Sequence, residues 1–196
     1  ILKPTNFDPS KRYPVVMSQY SGPGSQSVLD KWTIDWEYYL VSKGFIVACV
    51  DGRGTGGRSR AYETSVYMQL GKLETEDQVA GAEYMRTLPY VDDKHIGIYG
   101  WSYGGYETLM AMSTSNGTYQ AGVAIAPVTD WRYYDTIYAE RFMRTPNENN
   151  EGYEQSAPIT HAEKLKGDLL IISGTADDNV HYLNTLQYSA ALIEAG

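Results

Sequence analysis

The sequence predicts an α/β domain: a mostly parallel sheet with helices on both faces. Two observations lead there. Five short apolar runs of strand length recur along the chain, each rich in Val, Ile or Tyr and ending at Gly, Ser, Pro or Asp. Helical spacing fills most of the intervals, and strands alternating with helices require parallel pairing with covered faces. The length of 196 residues suits one domain around one core.

The predicted strands are Val15 to Gln19, Phe45 to Val50, His95 to Tyr99, Ala121 to Ala126 and Leu169 to Ser173. Trp32, Trp36, Tyr39 and Leu40 fall at helical spacing, with Gly44 as a stop. Thr75 and Gln78 form a capping-box pattern ahead of Val79, Ala82 and Met85. Leu109, Met110 and Met112 follow Gly104 and Gly105, and Leu186, Ala190 and Ile193 precede Gly196, placed as a helix-ending glycine. The stretch Val128 to Gly167 is too long for a plain connection, so it is expected to be functional or to carry helices of its own.

Asp and Glu outnumber Lys and Arg by 24 to 16, a net charge of −8. That argues against non-specific nucleic-acid binding, which needs excess cationic side chains. Cys49, the only cysteine, lies in an apolar run and reads as buried filler. No apolar run approaches the roughly 20 residues of a membrane helix. Ile1 to Pro14 show no basic-then-apolar leader pattern, and the chain reads as a piece of a longer protein.

Gly100-Trp101-Ser102-Tyr103-Gly104 is a G-x-S-x-G motif set between the strand ending at Tyr99 and a helical pattern. Strand–turn–helix is the context of a nucleophile elbow, where the serine is exposed on a sharp turn. The expected fold is therefore an α/β-hydrolase. Ser102 is the candidate nucleophile, and the Tyr103 N–H points toward a developing oxyanion. A serine hydroxyl needs a base, and in this architecture the order is Ser, then Asp or Glu, then His. Asp177 and Asp178 follow the last predicted strand; either can orient an imidazole or cap the next helix. His95 and His161 precede them, and His181 sits at the start of the next helix, where it reads as a helix-start or rim residue. The triad histidine is expected after residue 196, so that residues 1–196 alone should be nearly inactive.

At these residues the chain resembles the prolyl oligopeptidase family of serine peptidases, and within it the dipeptidyl peptidase IV branch. The resemblance rests on Gly100 to Tyr106, Asp51 to Gly56, Gly174 to Val180, Trp131 to Asp135 and Tyr138 to Arg141. It implies that Ser102 is the nucleophile and Asp177 the triad acid. It implies that Tyr20 shares the oxyanion hole with Tyr103. It also implies that Val128, Trp131, Tyr134, Tyr138 and Val180 form a pocket for proline at the cut, with Asn179 contacting a nearby substrate carbonyl. A compact ring without an N–H suits such an aromatic box. The implied substrates are peptides with Pro or Ala in second position, with no cofactor and no metal. The resemblance further implies a preceding β-propeller that grips the substrate N-terminus, a homodimeric parent and an extracytoplasmic location.

Three rival readings remain to be weighed. Gly52-x-Gly54-x-x-Gly57 after a strand resembles a dinucleotide fingerprint, but no second strand follows within reach, so the loop is expected to shape the site's rim. An esterase would use the same parts with a different substrate. A pseudo-peptidase that only binds peptides would have no need of Ser102 and Asp177.

Overall fold

The computed structural model describes residues 1–32 and 34–196. Strands β1 (Tyr13–Ser18), β2 (Ile46–Ala48), β3 (Val91–Trp101), β4 (Ala121–Ile125) and β5 (Asp168–Ile172) build one parallel sheet, ordered β2-β1-β3-β4-β5. Helices α1 (Glu37–Ser42), α2 (Arg60–Glu63), α3 (Lys72–Arg86), α4 (Tyr103–Thr114), α5 (Thr136–Met143), α6 (Asn150–Gln155) and α7 (Leu183–Ala195) connect or follow the strands.

Side chains alternate across a strand, so each strand feeds both faces. Val15, Met17, Ile96 and Ile98 point to one face and pack with Ala82 and Met85 of α3 and Ala111 and Met112 of α4. The intervening positions point the other way. There the Ser18 hydroxyl donates to Glu37 of α1 at 3.1 Å, and Trp36 meets Tyr99 edge-on at 4.3 Å. At the far end, Tyr188 of α7 packs with Leu109, Ala124, Leu169 and Ile171. Their neighbours Leu170 and Ile172, on the opposite face of β5, are 55% and 45% exposed.

All five predicted strands are present. β3 runs longer than its apolar core suggests, because Tyr13 pairs with Val91 ahead of a register shift. The bulged residues between, Asp92 to His95, are largely solvent-facing, and His95 Nδ1 lies 2.8 Å from Asp92.

Two helix expectations change. The helix foreseen from Trp32 begins only at Glu37; Trp32 is 81% exposed and Tyr39 also faces solvent, so that aromatic spacing does not mark a buried face. The capping box does not form either. Helix α3 starts at Lys72 behind Gly71, which places Thr75 and Gln78 inside it with their side chains turned to the core. The Thr75 hydroxyl donates to Glu107 at 2.8 Å, and Gln78 Nε2 donates to Ser21 Oγ at 3.0 Å and Val50 O at 2.9 Å. Cys49 is half-buried rather than buried, and desolvation pushes its thiol up to about 11, leaving it protonated.

The segment from Val128 to Gly167 carries α5, α6 and 3₁₀ turns at Trp131–Tyr133 and Pro158–Lys164. Aspartates start two of these: Asp130 accepts from the Arg132 N–H and Asp135 from the Tyr138 N–H, both at 2.8 Å. The Thr129 N–H donates to Asn184 Oδ1 at 2.9 Å, tying the start of this segment to α7.

Candidate active site

Ser102 is the single residue between β3 and α4, with φ 58° and ψ −115°. A side chain rarely adopts that backbone, so the turn must be held from outside. The Ser102 N–H donates to Ile125 O at 2.8 Å, and its carbonyl accepts from the Tyr106 N–H at 3.0 Å. The helix after the turn lies tight against β1: a Cβ on Gly104 would stand 2.5 Å from the Gln19 carbonyl. Gln19 reinforces the contact by donating through Nε2 to Gly104 O at 2.8 Å.

Tyr20 follows directly on that anchor. Its ring lies 6.1 Å from that of Tyr103, and Gly22 leaves it room, since a Cβ there would fall 2.5 Å from Tyr20 Cε1. Partial burial raises the pKa of the Tyr20 phenol, and the nearby Ser102 hydroxyl partly offsets that rise. The phenol is thus a neutral donor at physiological pH. Tyr103 is the first residue of α4, a position whose N–H has no acceptor within the helix and lies at the positive end of its dipole. Tyr20 and the first turn of α4 thus lie next to Ser102.

The aromatic residues assigned to a proline pocket converge beside them. Val128, Trp131 and Val180 are buried in one cluster with Tyr103 and Tyr106, and Tyr134 and Tyr138 pack on it half-buried. Trp131 stacks on Tyr138 at 5.7 Å, meets Tyr134 at 6.0 Å, and tilts over Tyr103 at 5.5 Å. The Tyr134 hydroxyl donates to Asn179 Oδ1 at 2.7 Å, which joins the loop after β5 to the same wall. Burial pushes both phenols up, so neither carries charge into the box.

Asp177 lies in that loop. One oxygen, Oδ1, accepts from the N–H groups of Asn179 and Val180, both at 3.0 Å, and Oδ2 takes no hydrogen bond among the described residues. Asp177 thus shapes the turn after β5, while Asp178 is exposed. His181 Nδ1 accepts from the Leu183 N–H at 3.2 Å at the start of α7. His161 bonds Gln155 O, and no hydrogen bond joins any of the three histidines to Ser102 among the described residues.

The glycine-rich loop after β2 leads into the short α2 rather than a long helix. Its Arg53 forks onto Asp77, with Nη2 at 2.7 Å and Nε at 3.0 Å, which pins the loop to α3. That arrangement makes a structural clamp and no dinucleotide cradle. Among the described residues no group of three or more His, Cys, Asp or Glu could hold a metal, and no helix is long and apolar enough to cross a membrane.

The sequence profile described as the Prolyl oligopeptidase family matches residues 32–196. The chain belongs to the prolyl oligopeptidase family. Among curated relatives, a "Probable dipeptidyl-aminopeptidase B" of Metarhizium robertsii is 46% identical over 198 residues, covering 99% of this chain and 22% of the relative. One from Ajellomyces capsulatus is 50% identical over 188 residues, 94% of this chain and 20% of the relative. The crystal structure of Porphyromonas gingivalis dipeptidyl peptidase 4 superposes with a TM-score of 0.97 at 58% identity, over 99% of this chain and 28% of that one. The chain thus spans about a fifth of these curated relatives' length. Prolyl oligopeptidase membership accords with the α/β-hydrolase fold read from the strand order and elbow.

The sequence did not single out two buried carboxyls near the elbow. Glu74 and Glu107 lie buried behind the elbow, bonded to Tyr103 and Thr75. The one available signal was a glutamate four residues after Tyr103, inside an otherwise apolar helical pattern.

Proposed function

We propose that Ser102 is the acyl-accepting nucleophile of a serine peptidase that removes Xaa-Pro, and less well Xaa-Ala, dipeptides from peptide N-termini. One observation supports the reading most: Ser102 occupies a strained elbow at the start of α4, with Tyr20 packed on Tyr103 and the aromatic cluster of Trp131, Tyr134 and Tyr138 adjoining that residue.

In this mechanism Ser102 Oγ attacks the carbonyl after proline, and the oxyanion is met by the Tyr20 O–H and the Tyr103 N–H. A histidine from a segment after residue 196, oriented by Asp177, takes the hydroxyl proton and passes it to the leaving amine. Water then attacks the acyl-enzyme with the same base, freeing the dipeptide and restoring Ser102. Val128, Trp131, Tyr134, Tyr138 and Val180 take the proline ring by shape and stacking, and Asn179, held by Tyr134, meets a neighbouring carbonyl. The dipeptide limit comes from a preceding β-propeller domain that binds the free N-terminus. The relatives' names, dipeptidyl-aminopeptidase and dipeptidyl peptidase 4, support that choice over an esterase. Residues 1–196 alone are nearly inactive in this reading, and the whole protein is a homodimer working outside the cytoplasm.

The test is hydrolysis of Gly-Pro-p-nitroanilide by the full-length protein beside its Ser102→Ala variant. Release of p-nitroaniline that vanishes in the variant supports the reading. No release, with turnover of a short p-nitrophenyl ester instead, overturns the peptidase assignment.

A further inference from the structure

Two carboxyls lie buried behind the elbow, and the proposed hydrolysis uses neither. Glu74, in the first turn of α3, is 1% exposed, and Glu107 of α4 is fully buried. Tyr103 donates its hydroxyl to Glu74 Oε1 at 2.8 Å, and Thr75 donates to Glu107 Oε1 at 2.8 Å. The second oxygen of each is buried without a partner among the described residues. A buried carboxyl costs stability unless it is paired, so its retention calls for a role.

Tyr103 is where that role acts. It follows Ser102, opens α4 with its N–H, and packs its ring between Tyr20, Tyr106 and Trp131. The ring is enclosed by apolar and aromatic contacts that have no directional hold on the hydroxyl; Glu74 supplies it. Burial raises the pKa of the Glu74 carboxyl, and the backbone of the first turn of α3 together with the Tyr103 hydroxyl offsets part of that rise. The chain of contacts runs from the α3 N-terminus through Glu74 to the Tyr103 side chain, and from there along one residue to the backbone beside Ser102.

We propose that Glu74 is a positioning residue: through the Tyr103 hydroxyl it holds the first residue of α4, and so the oxyanion-facing N–H, in register with Ser102. The inference rests on the reading of Ser102 as nucleophile. A misplacement of about 1 Å at such a donor is enough to cost up to 10²-fold in rate.

The full-length protein is tested with two probes: Gly-Pro-p-nitroanilide for turnover, and a fluorophosphonate for the rate of Ser102 phosphonylation, which needs the oxyanion hole but no particular peptide. Glu74→Ala and Tyr103→Phe should each lower kcat and the saturating phosphonylation rate by about 10- to 100-fold, with KM changed less than threefold. The double variant should lose no more than the worse single one, since both delete the same bond. Glu74→Gln, whose amide oxygen still accepts from Tyr103, should recover to within about threefold of wild type. Should Glu74→Ala fail to fold, Tyr103→Phe decides, because it deletes the bond and keeps the ring. Full rate in Tyr103→Phe, multiplicative losses in the double variant, or Glu74→Gln no better than Glu74→Ala each overturn the proposal. A wild type inert to both probes overturns the nucleophile reading and this proposal with it.

Discussion

Replacing Ser102 by glycine rather than alanine isolates the backbone strain at the elbow. Both variants lack the hydroxyl, so neither turns over substrate and neither keeps the Tyr20 contact. They differ in how they tolerate φ 58°, ψ −115°. A residue with a Cβ held in such a sparsely populated region costs about 1–3 kcal/mol. Glycine adopts it freely but loses about 0.5–1 kcal/mol more chain entropy on folding. The balance favours Ser102→Gly over Ser102→Ala by roughly 1 kcal/mol. In a domain of this size that raises the melting temperature by about 2–4 °C. Calorimetry of the full-length protein, following the transition of this domain, reads the difference directly. A Ser102→Gly variant melting below Ser102→Ala would refute the strain argument, because it would mean that the turn sits in a well that alanine fits as easily.

Three more outcomes are expected. Asp177→Asn keeps an oxygen for the Asn179 and Val180 N–H groups, so its melting should change by less than about 1 kcal/mol; peptide turnover should fall by about 10⁴, the loss expected when a triad acid no longer fixes the imidazole tautomer. Tyr20→Phe leaves the ring against Tyr103 and removes the donor beside Ser102, so kcat should drop by about 10²–10³ with little change in KM; an unaltered kcat removes Tyr20 from the oxyanion hole. Glu74 makes folding stability pH-dependent with a definite sign. Burial raises its carboxyl from the usual 4.5 to about 7, with Asp77 adding like charge, Glu107 facing it buried, and Tyr103 and Tyr106 bearing on it as neutral phenols. The folded state then binds the proton more tightly than the unfolded chain. Stability from this group is full below about pH 4.5 and is lost as pH rises to about 7, by on the order of 3 kcal/mol. Denaturation midpoints of Glu74→Gln should therefore gain on wild type between pH 5 and pH 8; a constant gap contradicts the buried titration.

The strands were legible because strands of a parallel sheet covered largely on both faces carry little polar alternation to confuse them, and runs such as Val15 to Gln19 stand out. The elbow was legible for a related reason. Glycine at 104 answers a close approach of helix to strand that holds wherever this turn is built. The helix starts were not. Thr75 and Gln78 have the spacing of a cap, yet bond Glu107, Ser21 and Val50, partners 28 to 57 residues distant in sequence. The aromatics from Trp32 have helical spacing, yet Trp36 is engaged by Tyr99 on a strand and Trp32 by solvent.

By itself the sequence determined the order of the strands, the parallel sheet and the turn at Ser102. Those depend on periodicity, on local backbone sterics and on short motifs, all of which act within a few residues. Only the tertiary structure decided that Tyr20 packs on Tyr103, that Tyr134 holds Asn179, that Asp177 rather than Asp178 shapes its loop, and that Glu74 lies under Tyr103. These are contacts between side chains far apart in sequence. Their energies exist only once the sheet has brought β1, β3, β4 and the loop after β5 to one edge, where burial couples these phenols and carboxyls.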